Sequence, residues 1–367
     1  MDKIKKIILV GIPMSVCNLR CHYCYLSQRK ECFQKIQPEM KFTPKQVREA
    51  LSVERLGGTA FMNFCADGET LLTKDIDLYI KEIVGEGHYV EVVTNMTITP
   101  MLDRILSFEP SLLKRIEFKC SFHYLQLKEK NLLSTFAANV NKVWEAGASA
   151  NIELAPSDEL IPYIEEVKEF SIENFGALPH LTITRDDTTE PIDYLTNMSV
   201  EEYDNTWSQF DSGFWQFKKS IFKVKQSSYC YAGLWSAYIN LATGDSTQCY
   251  CGASLGNVFQ KPYEKFNFLP IGKCKVSHCY NGHALLTLGL IPNVTDVRYG
   301  NIRDRIRTDG THWLQPELLS FFNSQCGESN REISEHDKKV YKQRVIIHKF
   351  ESIYPRAKRK INNIFYK

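Results

Sequence analysis

Cys17, Cys21 and Cys24 are separated by three and then two residues, in the run Cys17-Asn18-Leu19-Arg20-Cys21-His22-Tyr23-Cys24. That spacing places three thiolates on one face of a compact loop, where they suit three irons of a cubane iron–sulfur cluster. A structural zinc site closes with four ligands, and an electron-carrying cluster normally has four cysteines. Three alone leave one metal position open for something else to bind. The competing reading is three buried thiols acting as small hydrophobes. Asn18, Arg20 and His22 between them are surface residues by type and argue against it.

A loop of this kind has to be delivered by rigid elements. Ile7–Ile12 reads as a buried first strand leading into it. Thr43 and Pro44 then open a helix that runs to Gly57-Gly58. Beyond it, strands at Ala60–Phe64, Val90–Val93, Ile116–Cys120, Ala150–Leu154 and Leu181–Thr184 alternate with helices at Ile76–Val84, Pro100–Ser107, Leu132–Glu145 and from Pro156 through Phe170. Six strands at roughly thirty-residue spacing imply βαβ units and a parallel sheet. With right-handed crossovers the sheet curls toward a barrel whose working end is the carboxyl ends of its strands. Polar or cysteine-bearing segments follow each strand: the cysteine loop, Cys65-Ala66-Asp67-Gly68-Glu69, Thr94-Asn95, Ser121 with His123, Pro156 onward, and Arg185.

The C-x3-C-x2-C pattern, with Tyr23 just before the third cysteine, resembles the signature of the radical S-adenosylmethionine (radical SAM) enzymes. The resemblance implies a partial (βα)6 barrel and a 4Fe-4S cluster on Cys17, Cys21 and Cys24. In that family the methionine moiety of S-adenosyl-L-methionine chelates the open iron, and the aromatic packs near the cofactor. Asp67-Gly68-Glu69 corresponds to the family's Gly-Gly-Glu motif, which holds the methionine ammonium; the first glycine is replaced by Asp67, while Gly68 stays free to adopt unusual backbone angles. A plain helix-capping turn is the alternative for these three. Thr94, Asn95, Ser121 and His123 are placed to hydrogen-bond the ribose or carboxylate of the cofactor, or to cap the helices that follow. Glu153 in the fifth strand and Arg185 after the sixth are the next charged residues at that height. An inward charge needs a partner, and a bound zwitterion is the partner expected for Glu153.

From Tyr229 the texture changes to short aromatic and β-branched runs with turn glycines, the mark of a small antiparallel hairpin. Cys230, thirteen residues, Gly244, four residues and Cys249 resemble the start of the SPASM and twitch extensions of radical SAM enzymes, which bind auxiliary 4Fe-4S clusters. The full SPASM run is missing, so the resemblance implies a twitch-type α+β domain with one second cluster. Its expected ligands are Cys230, Cys249, Cys274 and Cys279, with Cys251 spare or exchanging roles with Cys279, and a structural zinc is the competitor. The chain accordingly divides into a barrel over 1–224, a twitch-like domain over 225–285 and a helical C-terminal extension over 286–367, whose basic tail from Asn330 reads as a solvated helix.

The length of 367 residues, with 43% hydrophobic and 24% charged residues, is that of an ordinary globular protein with a sizeable core. A net charge of +2 supplies no field for nucleic acid or a membrane surface. Twelve cysteines, clustered instead of spread, read as metal ligands in a reducing compartment. Lys3, Lys5 and Lys6 ahead of Ile7–Met14 superficially resemble a signal peptide, but Gly11 and Pro13 interrupt the apolar run and no small-residue cleavage site follows. No apolar run reaches the roughly 18 residues of a membrane span. A cytoplasmic enzyme is expected.

The resemblance implies reductive cleavage of S-adenosylmethionine to a 5′-deoxyadenosyl radical that abstracts hydrogen from a substrate C–H bond, with electrons from a flavodoxin or ferredoxin-type donor. A thiol returning hydrogen would make the enzyme an epimerase, and Cys65, Cys120, Cys251 and Cys326 are the thiols left for that role. Electron transfer to the second cluster would make it an oxidoreductase. The sequence opens at the first barrel strand without a leader-binding domain, which favours a small-molecule or glycan substrate, a sugar or nucleotide sugar, over the alternative of a ribosomal peptide. Trp207, Phe214, Trp215 and Trp235 are candidates to stack on sugar faces, or core residues. An iron–sulfur carrier or zinc-stabilised binding protein without catalysis is the alternative of another class.

Overall fold

The computed structural model describes residues 2–28, 37–279 and 281–344. Six parallel strands, β1 (Lys6–Ile12), β2 (Ala60–Ala66), β3 (Tyr89–Thr94), β4 (Ile116–Phe122), β5 (Ser149–Leu154) and β6 (His180–Leu181), pair in chain order. They are largely buried, apolar on the face that the helices cover and mixed polar and apolar on the other, as in the alternation Ile-Glu-Phe-Lys-Cys-Ser-Phe of β4. The register sets Gly11 beside Cys65 and Ile12 beside Ala66. The loops leaving β1 and β2 therefore start side by side.

Helices Ile76–Gly85, Thr99–Leu106, Leu133–Glu145 and Ile164–Phe175 carry the chain back along the outer face. The helix expected from Thr43 to Gly57 is two pieces. A capping box closes Thr43 onto Gln46, the first piece ends at Ala50, and the Ser52 side chain caps a second turn that Gly57 ends at φ 78°. The sixth strand is shorter than the expected Leu181–Thr184. After Leu181 the chain turns away, and a separate ribbon of β7 (Arg185–Asp186) and β8 (Asp193–Tyr194) follows.

The hairpin segment joins the same sheet. Strand β9 (Ser236–Asn240) runs parallel to β1 on its open side, and β10 (Asp245–Thr247) and β11 (Ser254–Asn257) extend it antiparallel. Short helices at Tyr299–Arg303 and Pro316–Phe322 pack against the strands. Phe321 stacks on Tyr89 at 3.8 Å and Phe322 meets Phe61 edge-on at 5.1 Å. The tail read as a solvated helix lies outside the described residues beyond 344. Among the described residues no helix is long and apolar enough to cross a membrane.

Strand periodicity sorts the side chains. Phe118, Cys120 and Phe122 of β4 join the packed core under the helices. Glu117, Lys119 and Ser121 take the opposite face, toward the lumen.

Candidate functional site

The cysteine loop leaves β1 at Pro13 and lies against the turn after β2. Asp67 N–H donates to Ile12 O at 3.2 Å, Gly68 N–H to Met14 O at 2.6 Å and Glu69 N–H to Val16 O at 2.9 Å. Contact, not unusual torsion, fixes the glycine. Gly68 is absent from the residues with positive φ, but a Cβ there would lie 2.3 Å from the Val16 carbonyl oxygen.

The ends of β3 and β4 hold the loop from the other sides. Glu69 is fastened by three donors: Thr94 Oγ1 at 2.6 Å, Asn95 N–H at 2.8 Å and Leu71 N–H at 2.9 Å. Its burial raises the carboxyl above the ordinary range, and those three hydrogen bonds oppose the rise. Asn95 Nδ2 donates to Asn18 Oδ1 at 2.9 Å inside the cysteine loop. Tyr23 Oη and His123 Nδ1 are 2.8 Å apart. Gln28 Nε2 reaches the Arg185 carbonyl at 2.9 Å.

These contacts enclose a cavity of about 280 Å³ at the carboxyl ends of the strands. The sequence picked out most of its lining: Cys17, Cys21, Cys24, Tyr23, Asp67, Gly68, Glu69, Thr94, Asn95, Ser121, His123 and Arg185. Burial pushes the Cys21 thiol up to about 12 and raises Cys17. Holding these groups as thiolates takes a strongly cationic centre.

Glu153 stands elsewhere. Its carboxylate is paired to Arg303 and, at 2.9 Å, to Lys119. Arg303, on the Tyr299–Arg303 helix, also meets Glu117 at 3.1 Å and Glu91 at 3.6 Å. The expected zwitterion is replaced by an arginine from more than a hundred residues downstream, and burial pushes Glu117 up to about 8 within this cluster. The test applied to Glu153, a charge in a barrel strand, also picks out Glu91, Glu117 and Lys119, which the sequence reading passed over.

A larger cavity of about 580 Å³ adjoins the first and occupies the lumen. Cys65, Ala66, Asp67 and Arg185 line both. Tyr238, Tyr250, Asn281 and His283 complete its wall from the hairpin segment, and no motif had marked them. Of the four thiols offered as hydrogen donors, Cys65 alone borders both cavities, and burial pushes it up to about 12. Cys120 faces the helices, and Cys326 is buried with the C-terminal core. Trp207, Phe214, Trp215 and Trp235 are each at most 2% exposed, so they fill cores and leave no face for a sugar.

The second cysteine group also converges. Cys230, Cys249, Cys251, Cys274 and Cys279 surround a small cavity of about 40 Å³. Burial pushes Cys230 and Cys279 up to about 12, and both also feel Cys251 and Cys274. Cys251 sits within hydrogen-bonding reach of both Cys249 and Cys274. Tyr250 and Asn281 line this cavity and the lumen alike, joined by a 3.0 Å hydrogen bond. Among the described residues no three His, Cys, Asp or Glu side chains converge tightly enough to hold a single metal ion.

No family model and no curated protein matches the chain. Among solved structures it is similar to Streptococcus suis SuiB, at 14% identity over 72% of this chain and 66% of that one, with a TM-score of 0.47. It is also similar to anSMEcpe with bound AdoMet, at 13% identity over 71% of this chain and 80% of that one, with a TM-score of 0.47. BtrN in complex with AdoMet and 2-DOIA is similar at 16% identity over 72% and 82% of the two chains, with a TM-score of 0.31.

Proposed function

We propose that the chain is a radical SAM enzyme that removes a hydrogen atom from a polar, sugar-type substrate and returns one from Cys65, an epimerisation. The residues present fit the cofactors this requires. Cys17, Cys21 and Cys24 come from one loop and border one cavity together with Glu69, and a cubane gives each thiolate its own iron, so its ligands surround a space and need not converge on a point. Cys17, Cys21 and Cys24 would hold the first 4Fe-4S cluster, and Glu69 would face the ammonium of S-adenosylmethionine. When bound, the pair supplies hydrogen-atom abstraction through one-electron reductive cleavage of S-adenosylmethionine. The cysteines around the small cavity would hold a second cluster.

The observation that carries the reading is the position of Cys65 on the wall shared by the two cavities. A thiol raised to about 12 keeps its hydrogen at neutral pH, which is the form that can give up a hydrogen atom. In the return step the substrate carbon gains a C–H bond as the Cys65 S–H bond breaks. The resulting thiyl goes back to thiol by taking one proton and one electron, the electron coming from a flavodoxin or ferredoxin-type donor. Oxidation is the second reading, favoured by Tyr250 and Asn281, which bridge the lumen and the second cysteine group.

Anaerobically reconstituted and reduced protein should form 5′-deoxyadenosine from S-adenosylmethionine, and Cys17→Ala, Cys21→Ala and Cys24→Ala should each abolish it. With glycan and peptide candidates in deuterated water, an epimerase incorporates solvent deuterium at one carbon and loses that label in Cys65→Ala. Absence of 5′-deoxyadenosine from iron-loaded protein overturns the reading.

A further inference from the structure

The lumen continues into a smaller pocket of about 220 Å³ that holds an unusual share of positive charge. Lys119, Arg185, Asn281 and His283 line both spaces, and Lys218 and Thr182 belong to the smaller one. Among its described lining residues there is no carboxylate. Lys119 is paired to Glu153 at 2.9 Å, but Arg303 claims the same carboxylate. Arg185 is 3.6 Å from Asp187. Lys218 donates to Thr182 Oγ1 and sits 5.2 Å over the Phe214 ring, and no described carboxylate pairs with it. His283, 7% exposed, leaves its buried Nδ1 without a hydrogen-bond partner.

Three cations thus crowd a space that borders both the lumen and, through Thr182, Ile183 and Arg185, the cofactor cavity, and whose described lining offers no carboxylate. Crowding of like charge in a partly desolvated pocket is unfavourable unless something negative enters. Burial brings Lys218 down to about 7; Glu153 opposes the fall, and the neighbouring Lys119, Arg185 and Arg303 add to it. Planar or tetrahedral oxyanions match such a set, since Arg offers a fork and Lys a point charge.

We infer that this pocket binds an oxyanion of the substrate, a carboxylate or a phosphate group, between Lys218, Lys119 and Arg185. The inference builds on the proposed function and narrows it. The substrate is an anionic sugar, such as a uronate or sugar phosphate, anchored by its charged end while its reacting carbon lies in the lumen toward Cys65.

The test needs neither cofactor cleavage nor a known substrate. Anaerobically reconstituted protein, without S-adenosylmethionine or reductant, is titrated calorimetrically with inorganic phosphate, glucose 1-phosphate and glucuronate. Saturable binding of at least one is expected, weakened about tenfold or more in Lys218→Met and largely kept in Lys218→Arg. A response to the phosphates alone assigns a phosphoryl group, and a response to glucuronate alone a carboxylate. No saturable binding by any of the three, or binding unchanged in both Lys218→Met and Lys119→Met, overturns the inference. Such a failure leaves the radical reading standing, whereas intact binding with no 5′-deoxyadenosine formation removes the radical reading alone.

Discussion

Tyr23 and His123, a hundred residues apart, share a 2.8 Å hydrogen bond that ties the cysteine loop to the end of β4. Burial brings His123 down to about 4, so its ring is neutral at working pH. A neutral hydrogen bond of this kind contributes about 1 kcal/mol. Tyr23→Phe should therefore weaken S-adenosylmethionine binding about fivefold with cluster content unchanged, measured by equilibrium dialysis of reconstituted protein. Unchanged affinity would show that the tie does not position the cofactor site.

Gly68 is held by contact from the first loop. Gly68→Ala drives a methyl group into the Val16 carbonyl, 2.3 Å from the ideal Cβ, where backbone must move. Separating the two loops displaces Cys17 and Glu69 together, since Glu69 N–H is bonded to Val16 O. Iron content at the first site and 5′-deoxyadenosine formation should fall together. A fully active, fully loaded Gly68→Ala protein would refute the close-approach argument.

Much of this site was legible because its signals are local. A cysteine spacing, a polar turn after each strand and the period of the strands all lie within a few residues of one another, and nine of the residues expected beside a cofactor line one cavity. Glu153 went astray because its partner Arg303 lies 150 positions away, and nothing near Glu153 announces it. Tyr238 was missed for the same reason: β9 reaches the lumen only by pairing with β1, a contact between chain segments far apart. The aromatic residues offered for sugar stacking follow the ordinary rule that large apolar rings are buried.

The five cysteines of the second group allow five quartets, two of which differ only in whether Cys249 or Cys251 is the ligand. The sequence favours Cys249, but Cys230, Cys274 and Cys279 each feel the charge of Cys251. With Cys251 as ligand, Cys251→Ala should lower iron from about eight to about four per chain, two cubanes becoming one, while Cys249→Ala keeps both. Iron analysis and electron paramagnetic resonance of the reduced variants decide between them. The opposite pattern restores Cys249.

Arg303 is ion-paired with the lumen carboxylates Glu91, Glu117 and Glu153. Removing one partner of a buried ion cluster leaves the others uncompensated, at a cost of about 3–5 kcal/mol. Arg303→Met should show a loss of that size in denaturant unfolding, and the Glu117→Gln, Arg303→Met double variant should recover part of it. If the double variant recovers nothing, the coupling between these two residues is absent.

His88 sets an acid limit on stability. Its ring is fully buried, with Nδ1 accepting the Ala60 N–H at 3.0 Å and Nε2 facing the Leu51 carbonyl at 2.7 Å. A carbonyl only accepts, so Nε2 carries the proton; protonating Nδ1 as well would set N–H against N–H. Burial accordingly brings His88 from the ordinary 6.5 down to about 4. The unfolded chain then binds the proton more readily than the folded one, so stability is complete above about pH 6.5 and is lost as pH falls toward 4. The full difference corresponds to about 3 kcal/mol. His88→Gln should reduce the pH dependence of unfolding between those limits relative to the parent chain, and parallel curves for the two proteins would show that His88 is not the group responsible.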